Sequence, residues 1–303
     1  MAVDEANRAL LESWELSLHR KRPRTVAHYL SEVERFARWL AAHDRPAGGA
    51  GDLAAVTKRD AESWIADQRA NGLAGNTIRN RWVAMRSFYG WAVEEEEVPE
   101  SPFARVVVDR PDTPPPATLT DAELAALLGA CKGQDFDARR DLALIRLLAA
   151  TGLRASEVTG LALDDIDLAN RIARVEGKGG RYRIVRFDPA TAVALDRYKR
   201  IRARHRYAAR PELWIGHRGP LSRKGLGPIL ERRAARAGIE RKVWPHLLRH
   251  GFADRFLAAG GQEGDLLRLG GWSDPAVMRR YGAARAQDRA LAAYDDLNVL
   301  GEL

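Results

Sequence analysis

Residues 150–161 read ATGLRASEVTGL and follow an apolar stretch with helical spacing. The pattern predicts a helix from about Ala138 to Ala150 that ends at Thr151 and Gly152, because glycine can take the left-handed turn there. Arg154 and Glu157 come directly after this turn, three positions apart. Taken alone, Arg154 is typical of a solvated arginine at the start of a helix.

Two short β-strands are predicted just after this stretch. They run from Arg171 to Glu176 and from Arg181 to Phe187, on either side of Gly177-Lys178-Gly179-Gly180. A glycine-rich turn between two such runs is typical of a β-hairpin. By itself, Lys178 is an ordinary turn lysine. From Ala190 onward the pattern is helical, interrupted by glycine and proline.

The first hundred residues are predicted to form helices. Apolar residues recur at helical spacing between Arg24 and Ala42. Thr57 and Asn76 are predicted to cap two further helices, because their side chains can accept hydrogen bonds from the first backbone N–H groups.

A proline-rich segment, DRPDTPPPA at 109–117, predicts the boundary between two domains. Its four prolines block helix continuation and favour a semi-rigid linker. The next helix is predicted to begin with a capping box formed by Thr120 and Glu123. We therefore expect a helical domain over 1–108, a linker over 109–117 and a second domain over 118–303.

The charge distribution predicts a nucleic-acid partner. The chain has 46% hydrophobic and 30% charged residues, an ordinary composition for a folded protein. Its net charge is +8, yet residues 1–110 hold 16 basic and 17 acidic side chains, whereas residues 171–255 hold 23 basic and 7 acidic ones. Arginine predominates there, which suits phosphate recognition. A solvated basic face is the alternative.

The sequence favours a cytoplasmic, nucleoid-associated protein with no membrane partner. It has no apolar run of about 18 residues, and the basic segment has no apolar face for a membrane surface. The first ten residues lack the basic-then-apolar pattern of an export signal. Cys131 is the single cysteine, and its place in a helical segment predicts a packing residue.

No metal or cofactor is predicted. The phosphate loop G-x-x-x-x-G-K-[ST] and the metal motifs H-E-x-x-H and C-x-x-C are absent from the sequence. His246 and His250 stand four apart on a predicted helix, a spacing that can bind zinc. No carboxylate or cysteine is arranged nearby as a third ligand, so a zinc site is not favoured.

Four separate segments resemble the tyrosine recombinase (phage integrase) family. ATGLRASEVTGL is similar to its first arginine motif, and GKGGRYRIV at 177–185 to the hairpin that carries its lysine. PHLLRH at 245–250 resembles its H-x-x-R-H motif. LGGWSDPAVMRRYG at 269–282 resembles its closing motif, in which His or Trp precedes the nucleophilic tyrosine by nine positions, as Trp272 precedes Tyr281.

This resemblance implies an active site of six residues. They are the nucleophile Tyr281, the phosphate-binding Arg154 and Arg249, the general acid Lys178, and the further donors His246 and Trp272, of which His246 is also the candidate base. Glu157 is expected to support them by holding Arg154 or His246, and His250 is a second supporting residue. The sequence departs from the family in having Trp272 where His is more common and Gly282 where a bulkier residue is usual.

The resemblance also implies a fold and partners. The expected fold is mainly α with a small β-sheet (α+β): an N-terminal helical core-binding (SAM-like) domain and a C-terminal catalytic domain form a C-shaped clamp around DNA, as in two-domain Xer-type members. The expected partner is double-stranded DNA with a specific recombination site. The protein is expected to be a homotetramer on synapsed DNA and a monomer or weak oligomer when free. An accessory directionality factor would be a separate protein.

Basic side chains outside the six are expected at the DNA. They are Arg79, Arg81, Arg86, Arg181 and Arg183, with Lys178 in a second role, and the stretch from Arg197 to Arg210. The C-terminal tail is predicted either to dock on a neighbouring subunit or to pack on its own domain through Leu291, Tyr294, Leu297 and Val299.

Three alternatives to a site-specific recombinase stay open at this point. A nicking-closing enzyme like a topoisomerase would keep the chemistry without partner exchange. An architectural DNA-binding protein of the same fold would keep neither, and the complete set of six residues argues against it. A basic RNA-binding protein explains the charge but not the motifs.

Overall fold

The computed structural model describes residues 5–43, 51–109, 118–177 and 180–272, together with Leu291 and Tyr294. The chain forms two compact units, Met1–Asp112 and Thr113–Leu303. The division falls within the predicted linker, most of which lies outside the described residues. Each unit has a buried apolar core of its own.

The described part of the first unit is helical, as predicted. Its α-helices are α1 (Glu5–Ser17), α2 (Pro23–Ala42), α3 (Lys58–Ala70) and α4 (Gly75–Glu94). On α2 the predicted apolar stripe is buried at Val33, Phe36 and Leu40. The Phe36 ring lies 4.7 Å from that of Trp64 and 5.5 Å from that of Phe103, measured between centroids. These aromatic contacts join α2 and α3 to the chain that follows α4.

The start of α4 differs from the prediction. Asn76 is not its cap, because the helix already begins at Gly75. Ala74 takes the cap position, and its carbonyl accepts from the backbone N–H groups of Thr77 and Ile78. Ile78 is 3% exposed, so burial in the core fixes this register. A local capping pattern does not contain that information.

The described part of the second unit combines helices with short strands. The helices are α5 (Asp121–Gly129), α6 (Phe136–Thr151), α7 (Ala155–Thr159), α8 (Pro189–Arg202), α9 (Arg223–Arg236), α10 (Pro245–Ala258) and α11 (Glu263–Gly270). The strands are β1 (Ile166–Asp167), β2 (Ile172–Glu176), β3 (Tyr182–Arg186), β4 (Ile215–Gly216) and β5 (Gly219–Pro220). No helix among these or in the first unit is both long enough and apolar enough to cross a membrane.

The predicted hairpin is confirmed as β2 and β3. The two strands pair antiparallel with Glu176 opposite Tyr182, and β1 pairs with the other edge of β2. Each predicted strand is slightly too long, since Arg171, Arg181 and Phe187 lie outside the ladder. The sequence did not predict β1 or the β4–β5 ribbon, because strands of two residues show no alternation.

The caps predicted at Thr57 and Thr120 are confirmed, and both are capping boxes, of which the sequence predicted only the one at Thr120. In α3 the Thr57 side chain accepts from the Asp60 N–H, and the Asp60 carboxylate accepts from the Thr57 N–H in return. Thr120 and Glu123 make the same exchange at the start of α5. Cys131, just beyond α5, is buried as expected of a packing residue, and burial raises the pKa of its thiol to about 11.

Helix α6 packs against α8 and α10 and lies in the core of the second unit. It begins two residues earlier than predicted, because the Asp135 side chain accepts from the Ala138 N–H at 2.9 Å and caps it. It ends at Gly152, whose φ of +60° confirms the predicted left-handed turn. This turn directs the chain into the candidate site.

Gly152 is expected to tolerate no side chain. A Cβ there would lie 2.4 Å from the ring of Phe252 on α10, in a backbone conformation that already disfavours L residues. Gly152→Ala should therefore lower the free energy of unfolding by about 3 kcal/mol, measured by urea denaturation. Gly238→Ala is the matched control, since Gly238 has φ +70° but no atom within 4 Å of its Cβ position. The control should lose only about 1 kcal/mol. Equal losses would contradict the steric argument.

Candidate active site

Arg154 enters the site directly after the turn at Gly152. It occupies the N-cap position of α7, and this short helix brings Glu157 back towards it. Glu157 Oε2 accepts from the Arg154 backbone N–H, and Glu157 Oε1 accepts from Arg154 Nη1, both at 2.8 Å. The sequence predicted that Glu157 holds either Arg154 or His246, and the described hydrogen bonds join it to Arg154.

A third residue, Arg183 on β3, completes this arrangement. Its Nη1 and Nη2 donate to the two carboxylate oxygens of Glu157 at 2.9 and 2.8 Å. Its Nε donates to the carbonyl of Leu269, at 2.9 Å, near the end of α11. The sequence predicted Arg183 to contact DNA, yet its side chain is only 15% exposed. The motifs gave no sign that Arg183 and Glu157 meet, because 26 residues separate them.

The charge of Glu157 is strongly stabilised. Burial raises the pKa of its carboxyl, but hydrogen bonds from Arg183 and Arg154 and the charge of Arg183 outweigh it and hold the pKa at about 2. Glu157 is therefore ionised at neutral pH, and it offsets part of the positive charge that the two arginines bring together.

Arg154 and Arg249 converge although 95 positions separate them. Arg249 lies on α10, is 2% exposed, and donates to the carbonyls of Gly152 at 2.6 Å and Gly270 at 2.7 Å. Arg154 donates to the carbonyl of Gly271 at 2.6 Å and, more weakly, to that of Gly270 at 3.5 Å. Both guanidinium groups thus reach the same carbonyl oxygen. The Arg154 side chain is 36% exposed, so the pair is accessible from one side.

Trp272 lies against Arg249. The Arg249 Cζ atom lies 3.8 Å from the centroid of the Trp272 ring, within cation–π distance. The approach requires glycine at 270, since a Cβ there would lie 1.8 Å from a Trp272 ring atom. Gly271 has φ +62° and turns the chain towards Trp272. The sequence singled out Trp272 but gave no role to these two glycines.

His246 and His250 lie one turn apart on α10, with ring centroids 6.0 Å apart. Burial and the charges of Arg249 and Arg154 lower the pKa of His246 below its ordinary value. Burial and His246 lower the pKa of His250 to about 4. Both rings are therefore neutral at pH 7, and His246 can accept a proton. Within the described ranges, no three His, Cys, Asp or Glu side chains are arranged to hold a metal ion.

Two of the six predicted catalytic residues lie outside the described residues. They are Lys178 and Tyr281. Leu297 and Val299 of the tail also lie outside the described residues. The strands on either side of Lys178 are described, and so is the chain up to Trp272. Of the tail residues, Leu291 and Tyr294 are helical and 59% and 57% exposed.

The predicted DNA-contacting arginines of α4 have different environments. Arg81 is 16% exposed, lies 3.1 Å from the Glu32 carboxylate and donates to the Gln68 side chain. These contacts make it a packing residue of the first unit. Arg79 and Arg86 place their Cζ atoms 5.4 and 4.9 Å from the Trp82 ring.

Within the stretch from Arg197 to Arg210, Arg202 differs from the other arginines. It is 2% exposed and donates to four backbone carbonyls, those of Ala208, Arg210, Glu212 and Leu213. It therefore fixes the loop that follows α8. Arg204 and Arg206 on that loop are exposed. The charge count did not separate these two environments.

Two family models match the chain. A model described as the phage integrase family matches residues 117–288, and one described as the phage integrase N-terminal SAM-like domain matches residues 11–96. Tyrosine recombinase XerD of Corynebacterium glutamicum is 31% identical over 288 residues, which cover 90% of this chain and 93% of that protein. Tyrosine recombinase XerC of Chromobacterium violaceum is 31% identical over 290 residues, 95% and 93% of the two chains.

Solved structures of similar fold include two DNA complexes. The Tn1549 transposon integrase in complex with transposon right end DNA has a TM-score of 0.74 at 21% identity, with 95% of this chain and 99% of that chain covered. The XerH site-specific recombinase bound to its palindromic difH substrate has a TM-score of 0.71 at 18% identity, with 94% and 83% covered. At these identities, the likeness shows the fold.

The ionised Glu157 predicts a specific pH dependence of stability. Its folded-state pKa of about 2 lies below the ordinary value of 4.5, so its stabilisation is complete above pH 4.5 and is lost as pH falls towards 2. Glu157→Gln should lower the free energy of unfolding at pH 7. The difference from wild type should shrink by about 1 kcal/mol between pH 7 and pH 4, measured by urea denaturation. A difference that does not change with pH would refute the assignment.

Proposed function

This chain belongs to the phage integrase family of tyrosine recombinases, and we propose that it cuts and rejoins DNA at a specific site through a 3′-phosphotyrosine intermediate. One observation carries the proposal: Arg154 and Arg249 converge on the carbonyl oxygen of Gly270, beside Trp272. Donors arranged to reach one oxygen from two sides also suit the non-bridging oxygens of a phosphodiester.

The arginine pair fits the transition state of strand cleavage. In-line attack on phosphorus concentrates negative charge on the non-bridging oxygens, and arginine stays charged and can bind two oxygens at once. Arg249 is held by two carbonyls and packed against Trp272, so its guanidinium is oriented before substrate binds. Such preorganisation stabilises the transition state without reorganisation during the reaction.

Tyr281 is the proposed nucleophile. A phenol in water has a pKa near 10, so attack requires a base or nearby cations. The charges of Arg249 and Arg154 help to lower the pKa of His246, so its ring is neutral at pH 7 and can accept a proton. This supports its role as that base. Lys178 would protonate the leaving 5′-oxygen. The phosphotyrosine bond keeps the energy of the broken phosphodiester, and a 5′-hydroxyl of the partner strand then reverses the step.

The proposed partner is double-stranded DNA. Solved structures of similar fold hold DNA, and the second unit has a strong excess of arginine. Arg79, Arg86 and Arg181 remain proposed DNA contacts, although Arg79 also donates to the Val108 carbonyl at 2.8 Å. The carboxylate partners of Arg81 and Arg183 weigh against that role for them. We further propose a tetramer on two synapsed duplexes that exchanges strands through a Holliday junction, with any directionality factor supplied separately.

Tyr281→Phe should abolish the covalent protein–DNA adduct without abolishing DNA binding, because only the nucleophilic oxygen is removed. The substrate is a nicked duplex carrying the site that the protein selects from a pool of randomised duplexes. The adduct is detected on a denaturing gel and binding by mobility shift. Tyr294→Phe, which changes an exposed tyrosine, is the matched control and should still form the adduct. An adduct with Tyr281→Phe would show that another residue is the nucleophile.

Lys178→Ala should slow cleavage by about 10²-fold or more, as expected for loss of a general acid. Its rate should return close to that of wild type when sulfur replaces the leaving 5′-oxygen, because a thiolate departs without a proton. Arg249→Ala is the control: it should stay slow on both substrates, since the phosphate charge still needs its partner. A Lys178→Ala enzyme that is equally slow on the sulfur substrate would indicate a positional role for Lys178 instead.

A further inference from the structure

We propose that Arg183 is a positioning residue of this active site, which orients Arg154 through Glu157 and holds the Gly270–Gly271 turn in place. The inference rests on the proposed recombinase function. It gives Arg183 a role in cleavage that neither the sequence motifs nor the expected DNA contact assign to it.

All three side-chain nitrogens of Arg183 are engaged inside the protein. Nη1 and Nη2 bind the two oxygens of Glu157, and Nε binds the Leu269 carbonyl, all at 2.8–2.9 Å. A two-point contact between a guanidinium and a carboxylate fixes both planes relative to each other. The orientation of Glu157 therefore depends on Arg183, and Glu157 in turn binds Arg154.

The glycine turn lies directly on the Arg183 guanidinium. A Cβ at Gly271 would lie 2.9 Å from Arg183 Nη1 and 3.3 Å from Arg154 Nη1. The turn can approach this closely only because residue 271 is glycine. Its carbonyls bind Arg154 and, through Gly270, Arg249. Arg183 thus supports both phosphate-binding arginines, one through Glu157 and the other through the turn.

Arg183 also limits how far Glu157 neutralises Arg154. One carboxylate is shared between two guanidinium groups, so positive charge remains for a phosphate. Without Arg183, both oxygens of Glu157 would be available to Arg154 alone. A bidentate pair with Arg154 would hold its donors away from the substrate. Arg183 therefore acts on Arg154 by geometry and by competition for the same carboxylate.

The position of Arg183 in the chain connects this network to the hairpin. Arg183 lies on β3, five residues after Lys178, and Val175 of β2 is its partner in the ladder. The same side chain thus links the strand that leaves the hairpin turn to α7 and to the end of α11. The Arg183 side chain therefore connects three segments: the hairpin with the proposed general acid, the segment of Arg154, and the segment of Trp272.

Arg183→Met should lower the cleavage rate at saturating DNA on the order of 100-fold, because the donors for phosphate are misplaced. The dissociation constant for the same nicked duplex should stay within about threefold of wild type, and the slope of affinity against salt concentration should not change. Arg183→Lys should recover part of the rate, since it keeps the charge but not the planar two-point contact. If Arg183→Met fails to fold, the lysine variant alone should still show about tenfold slower cleavage at unchanged affinity.

Arg174→Met is the matched control. Arg174 lies on β2 of the same hairpin, is 62% exposed, and pairs with Asp165 rather than Glu157. Its removal should leave the cleavage rate unchanged. Two results would overturn the proposal: weaker DNA binding by Arg183→Met with a normal cleavage rate, which marks a DNA contact, or full recovery by Arg183→Lys, which shows that charge alone matters.

A double variant tests whether Arg183 acts through Glu157. The combined loss in Glu157→Gln/Arg183→Met should fall well below the product of the two single losses, because both changes break one connection. A loss equal to that product would show independent action and would overturn the proposal. If wild type forms no adduct at all, the proposed function fails. If wild type and Arg183→Met cleave equally fast, only the role of Arg183 fails.

Discussion

One buried carboxylate organises the catalytic half of this protein. Removing a carboxylate from water costs several kcal/mol, and the cost is offset only when its oxygens are fully hydrogen bonded. Glu157 meets this condition with four hydrogen bonds from Arg154 and Arg183. Because the bonds come from different segments, the carboxylate stays buried only while a short helix and a β-strand keep their relative positions. The chemistry of the site therefore constrains the fold around it.

The same arrangement explains why two glycines stand before Trp272. Arginines that are to bind a phosphate also need partners when no substrate is present, and backbone carbonyls supply them without adding negative charge. The carbonyls of Gly270 and Gly271 reach these arginines in a tight turn, in which glycine at 271 leaves room for the guanidinium groups and glycine at 270 leaves room for the Trp272 ring. The turn thus satisfies the donors and brings Trp272 against Arg249, nine positions before the proposed nucleophile in the sequence.

Much of the fold and part of the site follow from the sequence. Helical periodicity, the caps at Thr57 and Thr120 and the left-handed glycine at 152 are local signals, and the structure confirms them. The start of α4 and the short strands depend on tertiary packing, so local patterns missed them. For the site, motif spacing identified Arg154 and Arg249, but it treated Arg81 and Arg183 as surface charges. Arg81 and Arg183 are largely covered because each pairs with an acid distant in the sequence, Glu32 or Glu157, and composition cannot reveal such a pair.

Arg202 has a consequence for how this protein can change. It holds the loop after α8 through four backbone carbonyls, a group that every residue has. Arg202 thus holds the loop through its backbone, and His205 adds a side-chain contact by stacking on the Phe136 ring, with the two centroids 4.5 Å apart. The exposed Arg204 and Arg206 can be replaced without loss of the scaffold that presents them. Stability and surface charge are therefore set by different residues of this loop, which makes its exposed positions suitable for laboratory variation.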